Sequence, residues 1–245
     1  MRFIVCIKQV PDVSAPVQVR DGRLVMDAGR VVLNAYDASA VEAALVLVEA
    51  HGGEVEVVLA GPERAGETIR KALAMGADRG THLVVPDGAE MDSAAAAATL
   101  ADYIRGEACD VVLTGKQSQD TDAGLAGAMI AAHLDLPYVT NAVGLAREGD
   151  LLVVTRQGDA GQETIELRTP ALVTCSNDMN DPRIPNLKGI MASKKKPVDV
   201  RPVSPPAPAV RTLGYEAIPD RPPGRRLDGE PAEVAAELAR LLGGR

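Results

Sequence analysis

Apolar residues fall into two patterns along this chain, and their alternation predicts the architecture. Unbroken aliphatic runs of strand length occupy 2–7, 55–60, 82–85 and 109–114. A run without polar alternation suits a strand buried on both faces, as in a parallel sheet. Between the runs, apolar positions recur at helical spacing. Val41, Ala44, Leu45 and Val48 make one such stripe, and Ser39 with Glu42 has capping-box spacing, which predicts a helix over 39–50. Further helices are predicted over 64–75, from Asp92 or Ser93 to about 106, and over the Ala/Gly-rich 121–134. The stretch Glu54 to Val85 is the most compact: strand, Gly61-Pro62 break, helix, Gly76 to Gly80, strand. Such β-α-β units build parallel sheets, which bind ligands at the carboxyl ends of their strands.

After Pro137 the pattern changes. Residues 151–156 and 163–168 flank Gly158-Asp159-Ala160-Gly161 and predict an antiparallel hairpin, and 171–175 reads as a final strand of the main sheet. Residues 12–33 alternate irregularly around the turn signal Asp21-Gly22-Arg23. From Asp178 onward, prolines at 182, 185, 197, 202, 205, 206 and 208 argue against continuous helix or central strand. A last helix over 230–242 carries Val234, Leu238, Leu241 and Leu242 on one side, and a helix this short needs a surface to bury that stripe. The expected organisation is an α/β domain over 1–180 and a docking loop with C-terminal arm over 181–245. The fold class is α/β, a doubly wound and mainly parallel sheet with an antiparallel hairpin and an extended arm. The arm is expected to lie on a partner subunit; packing back on its own domain is the alternative.

Composition narrows the function. Of the 245 residues 46% are apolar but only 2% aromatic, so the core must be aliphatic. A net charge of −8 argues against nucleic acid as the main partner, because phosphate neutralisation needs a basic face. Positive charge clusters at Lys194-Lys195-Lys196, which reads either as a solvated loop or as a contact surface. The three cysteines, Cys6, Cys109 and Cys175, are odd in number and lack CxxC spacing. Reduced thiols are therefore expected, with no metal site and no disulfide. The apolar run at Met1 to Ile7 is too short for a signal peptide, and no stretch reaches the roughly 18–20 residues of a membrane span. A cytoplasmic protein without membrane insertion is the expectation.

Catalytic groups are scarce. His51, His82 and His133 lie in or beside regular elements and read as surface or core residues. No GxSxG, HExxH, P-loop or GxGxxG pattern occurs, so side-chain catalysis is not expected. Ligand binding is better supported. Cys6 to Gln9, Ala60 to Glu63 and Gly115 to Asp120 should meet at the carboxyl edge of the sheet. A helix starting at Thr121 would offer N–H groups and a positive dipole end to a phosphate, with Ser118 and Thr121 donating hydroxyl hydrogen bonds. The same Ser118 and Asp120 would also serve as plain helix caps. Asn34-Ala35-Tyr36-Asp37 is a fourth candidate wall.

These segments, taken in order, resemble the beta subunit of electron transfer flavoprotein over roughly residues 2–200. The most specific matches are Ile7-Lys8-Gln9-Val10-Pro11-Asp12, Asn34-Ala35-Tyr36-Asp37 with Glu42 to Leu45, Glu67 to Gly80, Gly115-Lys116-Gln117, and Pro182-Arg183 through Lys196. The resemblance implies the adenine nucleotide α-hydrolase-like form of the doubly wound fold and a heterodimer with an alpha subunit. It implies FAD held mainly by alpha, a structural AMP in this chain, and no catalysis by its own side chains. Acyl-CoA dehydrogenases and similar flavoenzymes would be electron donors, and a membrane quinone oxidoreductase the acceptor. By position, the AMP contacts would be Cys6 through its backbone, Asn34, Ala35, Tyr36, Asp37 and Ala60. They would continue through the loop Gly115, Lys116, Gln117, Ser118, Gln119, Asp120, Thr121, Asp122, Ala123, Gly124, Leu125 and Ala126. Val13 and Tyr36 would stand nearest the flavin rim. The docking segment would be Pro182 to Lys196, with Ile184, Leu187, Ile190, Met191, Lys194, Lys195 and Lys196 contributing and Leu187 as anchor.

The chain departs from the family pattern in two places. The loop after Gln117 is less polar than usual, and the small Gly124 and Ala126 leave room for a second FAD in place of AMP, as in bifurcating members. Ala192 and Ser193 replace a common Lys-Ala pair. Two other classes share the expected fold. A stand-alone ATP-using enzyme would need a Gly/Ser-rich loop soon after strand one, where this chain has Lys8-Gln9-Val10-Pro11-Asp12. A nucleotide-sensing module would need reversible exchange of its ligand.

Overall fold

Strand β1 (Arg2–Cys6) lies inside a nine-stranded sheet, in a computed structural model that describes residues 1–25 and 29–243. The chain then makes two small antiparallel pairs. β2 (Gln9–Pro11) pairs with β5 (Val31–Leu33), and β3 (Gln18–Arg20) with β4 (Arg23–Val25). Helix α1 (Ala35–His51) leads to β6 (Glu54–Gly61). A 3-10 turn at Glu63–Ala65 and α2 (Gly66–Met75) lead to β7 (Arg79–Val84). Next come α3 (Ser93–Arg105), β8 (Val111–Gly115) and α4 (Ala126–Leu134). β9 (Tyr138–Glu148), β10 (Leu151–Gly158) and β11 (Gly161–Arg168) form a meander, and β12 (Ala171–Cys175) returns to the sheet. The chain ends with α5 (Leu187–Ser193), β13 (Val198–Pro202) and α6 (Pro231–Gly243).

The strand order is β11-β10-β9-β12-β8-β1-β6-β7-β13. From β9 through β13 all neighbours are parallel; β10 and β11 add antiparallel at the far edge. The period of two along β1 separates the layers. Phe3, Val5 and Ile7 join the core under α1 and α2, while Ile4 and Cys6 join the core under α3 and α4. Phe3 pairs with Val55 on one side and Val111 on the other, so its ring sits in an aliphatic row. Each such buried side chain contributes roughly 1.5–3 kcal/mol over exposure. The doubly wound, mainly parallel sheet and the hairpin are as the sequence pattern predicts.

Several element boundaries differ from the expectation. The first long helix starts at Ala35, not Ser39. Ser39 lies a turn inside it and donates its hydroxyl to the Ala35 carbonyl at 3.4 Å, and Glu42 serves Arg183 instead of a cap. Tertiary partners override the local capping pattern here. Helix α4 begins at Ala126, not Thr121, because Asp122 and Gly124 take positive φ (50° and 64°), which breaks a helical path. β7 starts three residues early, at Arg79, whose side chain joins that of Thr81 on buried Glu56. Cys109 precedes its strand. The proline-rich tail is more regular than expected. Asn186 caps α5 by accepting from Gly189 N at 2.8 Å, so Leu187 opens a short helix and does not sit in a loop. β13 pairs with β7 at the sheet edge, where Pro202 is tolerated. The chain leaves the sheet after Pro202. It runs past β7 (Val203 N to Val84 O, 2.8 Å), the loop before α3 (Val210 N to Asp92 Oδ2, 2.9 Å) and the β3–β4 turn (Tyr215 N to Gly22 O, 3.0 Å). Helix α6 buries no residue.

Candidate functional site

The chain winds from β1 outward through β6 and β7, then crosses the sheet by α3 to add β8 on the other side of β1. The carboxyl ends of β1 and β8 diverge there, at the position where open α/β sheets take ligands. Asp37, in the first turn of α1, ties the two strand tips together. Its Oδ2 accepts from Lys8 N at 2.7 Å and its Oδ1 from Gly115 N at 3.0 Å. Burial pushes its carboxyl up to about 7 from an ordinary 3.8, and the hydrogen bonds and Lys8 pull only partly the other way. Gly115 permits this approach: a Cβ there would stand 2.3 Å from Asp37 Oδ1 and 2.7 Å from Tyr36 Cβ. Gly127 does the same for α4, since its Cβ would meet Thr174 Cγ2 at 2.5 Å and Thr114 Oγ1 at 2.8 Å.

Asn34 holds the loop that follows β8. Its Nδ2 donates to Gln117 O at 2.8 Å, and its Oδ1 accepts from Gln119 N at 3.1 Å. Gln119 returns a bond, its Oε1 accepting from Ala35 N at 3.1 Å. Lys8 Nζ reaches Asp120 Oδ2 at 2.8 Å and Ser118 Oγ at 3.3 Å. Ser118 and Thr121 hydroxyls lie 3.0 Å apart, and Gln117 Nε2 donates to Asp122 Oδ1 at 2.8 Å. Asp120 to Leu125 form an exposed rim in front of α4, whose first turn has no side-chain cap. Lys116 is half-buried, and its N–H donates to Cys175 O across the strand tips. Ala123 and Gly124 sit on the rim, and Ala126 opens α4. Cys6 closes β1 and is buried, its thiol pushed far up by desolvation, and Ala60 is half-buried near the end of adjacent β6. Tyr36 is half-buried, and Val13 is 74% exposed on the excursion after β2. The sequence reasoning proposed no site role for the Lys8 ammonium. The signal was a lone lysine leaving an apolar strand towards an acidic loop.

Residues 23–206 match the family model described as Electron transfer flavoprotein domain. An electron transfer flavoprotein subunit beta from Syntrophomonas wolfei is 35% identical over 244 residues, 99% of this chain and 96% of its own length. The chain belongs to the electron transfer flavoprotein beta-subunit family. The human electron transfer flavoprotein subunit beta is 37% identical over 248 residues, with the same coverage of both chains. The caffeyl-CoA reductase-Etf complex subunit CarD of Acetobacterium woodii is 38% identical over 203 residues, 82% of this chain and 78% of its own. As a beta-subunit family member the chain is an electron-carrier subunit of a heterodimeric flavoprotein, not an enzyme with side-chain catalysis.

In this beta-subunit chain the predicted docking residues lie apart from the crevice. Leu187, Ile190 and Met191 sit on α5, which packs against α2, with Ile184 just before the helix and Lys194 to Lys196 just after it. Ile184 is 91% exposed, Leu187 73% and Met191 63%, with Ile190 also exposed. Lys194 and Lys195 are exposed, but Lys196 is not free. Its Nζ donates to the carbonyls of Leu73 (3.1 Å), Gly76 (2.9 Å) and Ala77 (2.6 Å) at the end of α2. Among the described residues, no helix is long and apolar enough to cross a membrane, and no group of three His, Cys, Asp or Glu could hold a metal ion.

Proposed function

We propose that this chain pairs with an alpha subunit and holds AMP in its crevice, while FAD sits at the junction and is held mainly by alpha. The pair takes electrons from acyl-CoA dehydrogenases and other flavin dehydrogenases and passes them to a membrane quinone oxidoreductase, working in the cytoplasm. The open N-terminus of α4 carries the nucleotide reading. Backbone N–H groups at a helix start, with the positive dipole end behind them, suit a phosphate. The donor set fits: no side chain caps that turn, and the Ser118 and Thr121 hydroxyls are at hand to donate. Lys8, through Asp120 and Ser118, steadies the rim. Cys6, Asn34 to Asp37 and Ala60 supply the remaining walls. Exposed Val13 and half-buried Tyr36 suit the edge of an apolar ring that alpha presents.

When bound, FAD supplies the electron acceptance, and AMP serves as a structural wedge. Docking falls to α5. Burying Leu187 in a donor's pocket contributes roughly 1.5–3 kcal/mol, enough to orient an encounter and weak enough to release it. A second reading places another FAD where AMP would sit. It is favoured by the open space at Gly124, where a Cβ would meet only Lys116 O, at 3.6 Å, and by the similarity to CarD. Mass spectrometry of small molecules released from the co-expressed heterodimer tests both. One FAD and one AMP per dimer is the expected result, two FAD and no AMP selects the second reading, and absence of any adenine nucleotide beyond one FAD overturns the crevice assignment.

A further inference from the structure

Helix α5 has almost no apolar underside. Ser193 is its one buried residue among those described, and Ile184, Leu187 and Met191 around it face solvent. Hydrophobic burial therefore does little to fix its orientation. Polar side chains hold it instead, on both flanks. Downstream, Arg70 of α2 donates through Nη1 to Ser193 O at 2.6 Å and Lys196 O at 2.8 Å, which satisfies carbonyls at the helix end. Upstream, Arg183 grips α1. Its Nε and Nη2 donate to the two oxygens of Glu42 at 2.8 and 2.9 Å, and its backbone N–H to Glu42 Oε2 at 3.1 Å. The same guanidinium donates to both oxygens of Glu49, with Nη2 to Oε2 at 3.1 Å. Glu42 and Glu49 are seven residues apart on one face of α1, so the planar fork spans two helical turns. The Glu42 side chain is only 10% exposed and that of Arg183 33%, so solvent screens this pair less than a surface ion pair. Asn180 adds a bond from Nδ2 to Ser39 O at 3.1 Å.

We infer that Arg183 is a positioning residue for electron-donor docking: its two-carboxylate clamp on Glu42 and Glu49 sets the angle at which α5 presents Leu187 and its apolar neighbours. This rests on the proposal that α5 is the docking element. A bidentate arginine fork is directional in a way a lysine ammonium is not. Loss of the clamp leaves α5 attached from its C-terminal side, through Arg70 and the Lys196 bonds to the end of α2, with its N-terminal end freer to shift against α2, so the apolar side chains meet a partner in more orientations.

The test uses the heterodimer with alpha, with a purified acyl-CoA dehydrogenase and its acyl-CoA substrate as donor system. The variants are Arg183→Gln, Arg183→Lys, Glu49→Gln and, as reference, Leu187→Ala. Readouts are amide hydrogen exchange over 184–195, KM for the dehydrogenase against kcat, flavin content and Tm. Arg183→Gln is expected to speed exchange over 184–195 and raise KM about tenfold, the equivalent of ~1.4 kcal/mol of lost orientation, with kcat and flavin content retained. Arg183→Lys recovers part of both effects, and Leu187→Ala raises KM without changing exchange. If Arg183→Gln does not fold, Glu49→Gln, at the exposed side of the clamp, gives a smaller change of the same kind. Unchanged KM in Leu187→Ala sinks the docking reading. Raised KM in Leu187→Ala together with unchanged KM in Arg183→Gln overturns the positioning inference, whatever the exchange rates do.

Discussion

Gly115→Ala probes the closest approach in the crevice. The added methyl carbon would stand 2.3 Å from Asp37 Oδ1, 2.7 Å from Tyr36 Cβ and 3.0 Å from Asp37 N. Carbon contacts are comfortable near 3.5–4 Å, so a gap of about 1 Å must open. Neither neighbour can swing away cheaply, because Asp37 is pinned by Lys8 N and Tyr36 Cβ belongs to the helix start. Forcing α1 off the tip of β8 costs about 1–3 kcal/mol as overpacking. Stretching the 3.0 Å bond from Gly115 N to the carboxylate forfeits a further 1.5–3 kcal/mol or so. A total of about 2.5–6 kcal/mol lowers Tm by roughly 10 °C in a chain of this size. Differential scanning calorimetry of the heterodimer, with nucleotide content measured alongside, reads both effects. Gly106→Ala is the control: its backbone is right-handed helical, and its Cβ would meet nothing nearer than 3.6 Å, so Tm should hold or rise slightly. A Gly115→Ala protein melting within about 2 °C of the parent, with full nucleotide content, would refute the tight clip described for Asp37.

Two further outcomes follow from single side chains. Asp37 keeps its proton in the folded protein up to about pH 7, whereas an unfolded aspartate releases it near 3.8. The folded state thus binds more protons between those values, and this group's contribution to stability declines as pH rises from about 4 to about 7. The unfolding free energy of the parent minus that of Asp37→Asn should therefore fall across this window; a difference that stays flat or grows with pH contradicts the burial argument. Lys196→Gln removes a cation from three carbonyls at the end of α2 and should destabilise by about 2–3 kcal/mol in urea titration, while Lys195→Gln should be neutral. Equal effects of the two would show that the three lysines are interchangeable surface charge.

The layered fold was legible because buried parallel strands write themselves as aliphatic runs, and the β-α-β spacing around Gly61-Pro62 marked β6 and β7 as a parallel pair; the order of the other strands was not written in the pattern. The segments lining the crevice were legible for the same reason: Asn34, Asp37 and Gly115 lie at a strand end or a helix start, whereas the role of the Lys8 ammonium was not. Misplaced boundaries have causes that local spacing does not show. Ser39 and Glu42 have the local grammar of a cap, but Asn34 and Ala35 are held by Gln117 and Gln119, more than eighty residues away in sequence, and these long-range bonds start the helix earlier. Likewise Thr121 resembles a helix start until the positive φ of Asp122 and Gly124 is known. In the tail, prolines masked an edge strand that needs few of its own N–H groups. Lys196 read as part of a charge run, since nothing in three consecutive lysines marks which one faces inward.

The direction of β13 matters beyond the sheet. Because it runs parallel to β7, the polypeptide exits at the same rim as the crevice, three strands from β1, a lateral offset of roughly 15 Å at ordinary strand spacing. The segment from 203 to 215 then drapes along that rim by way of Val84, Asp92 and Gly22. Any molecule that grasps the naked α6 is thereby leashed beside the opening, its local concentration set by a short span of chain and not by diffusion. The tail behaves as a mooring line whose cleat stands next to the harbour mouth.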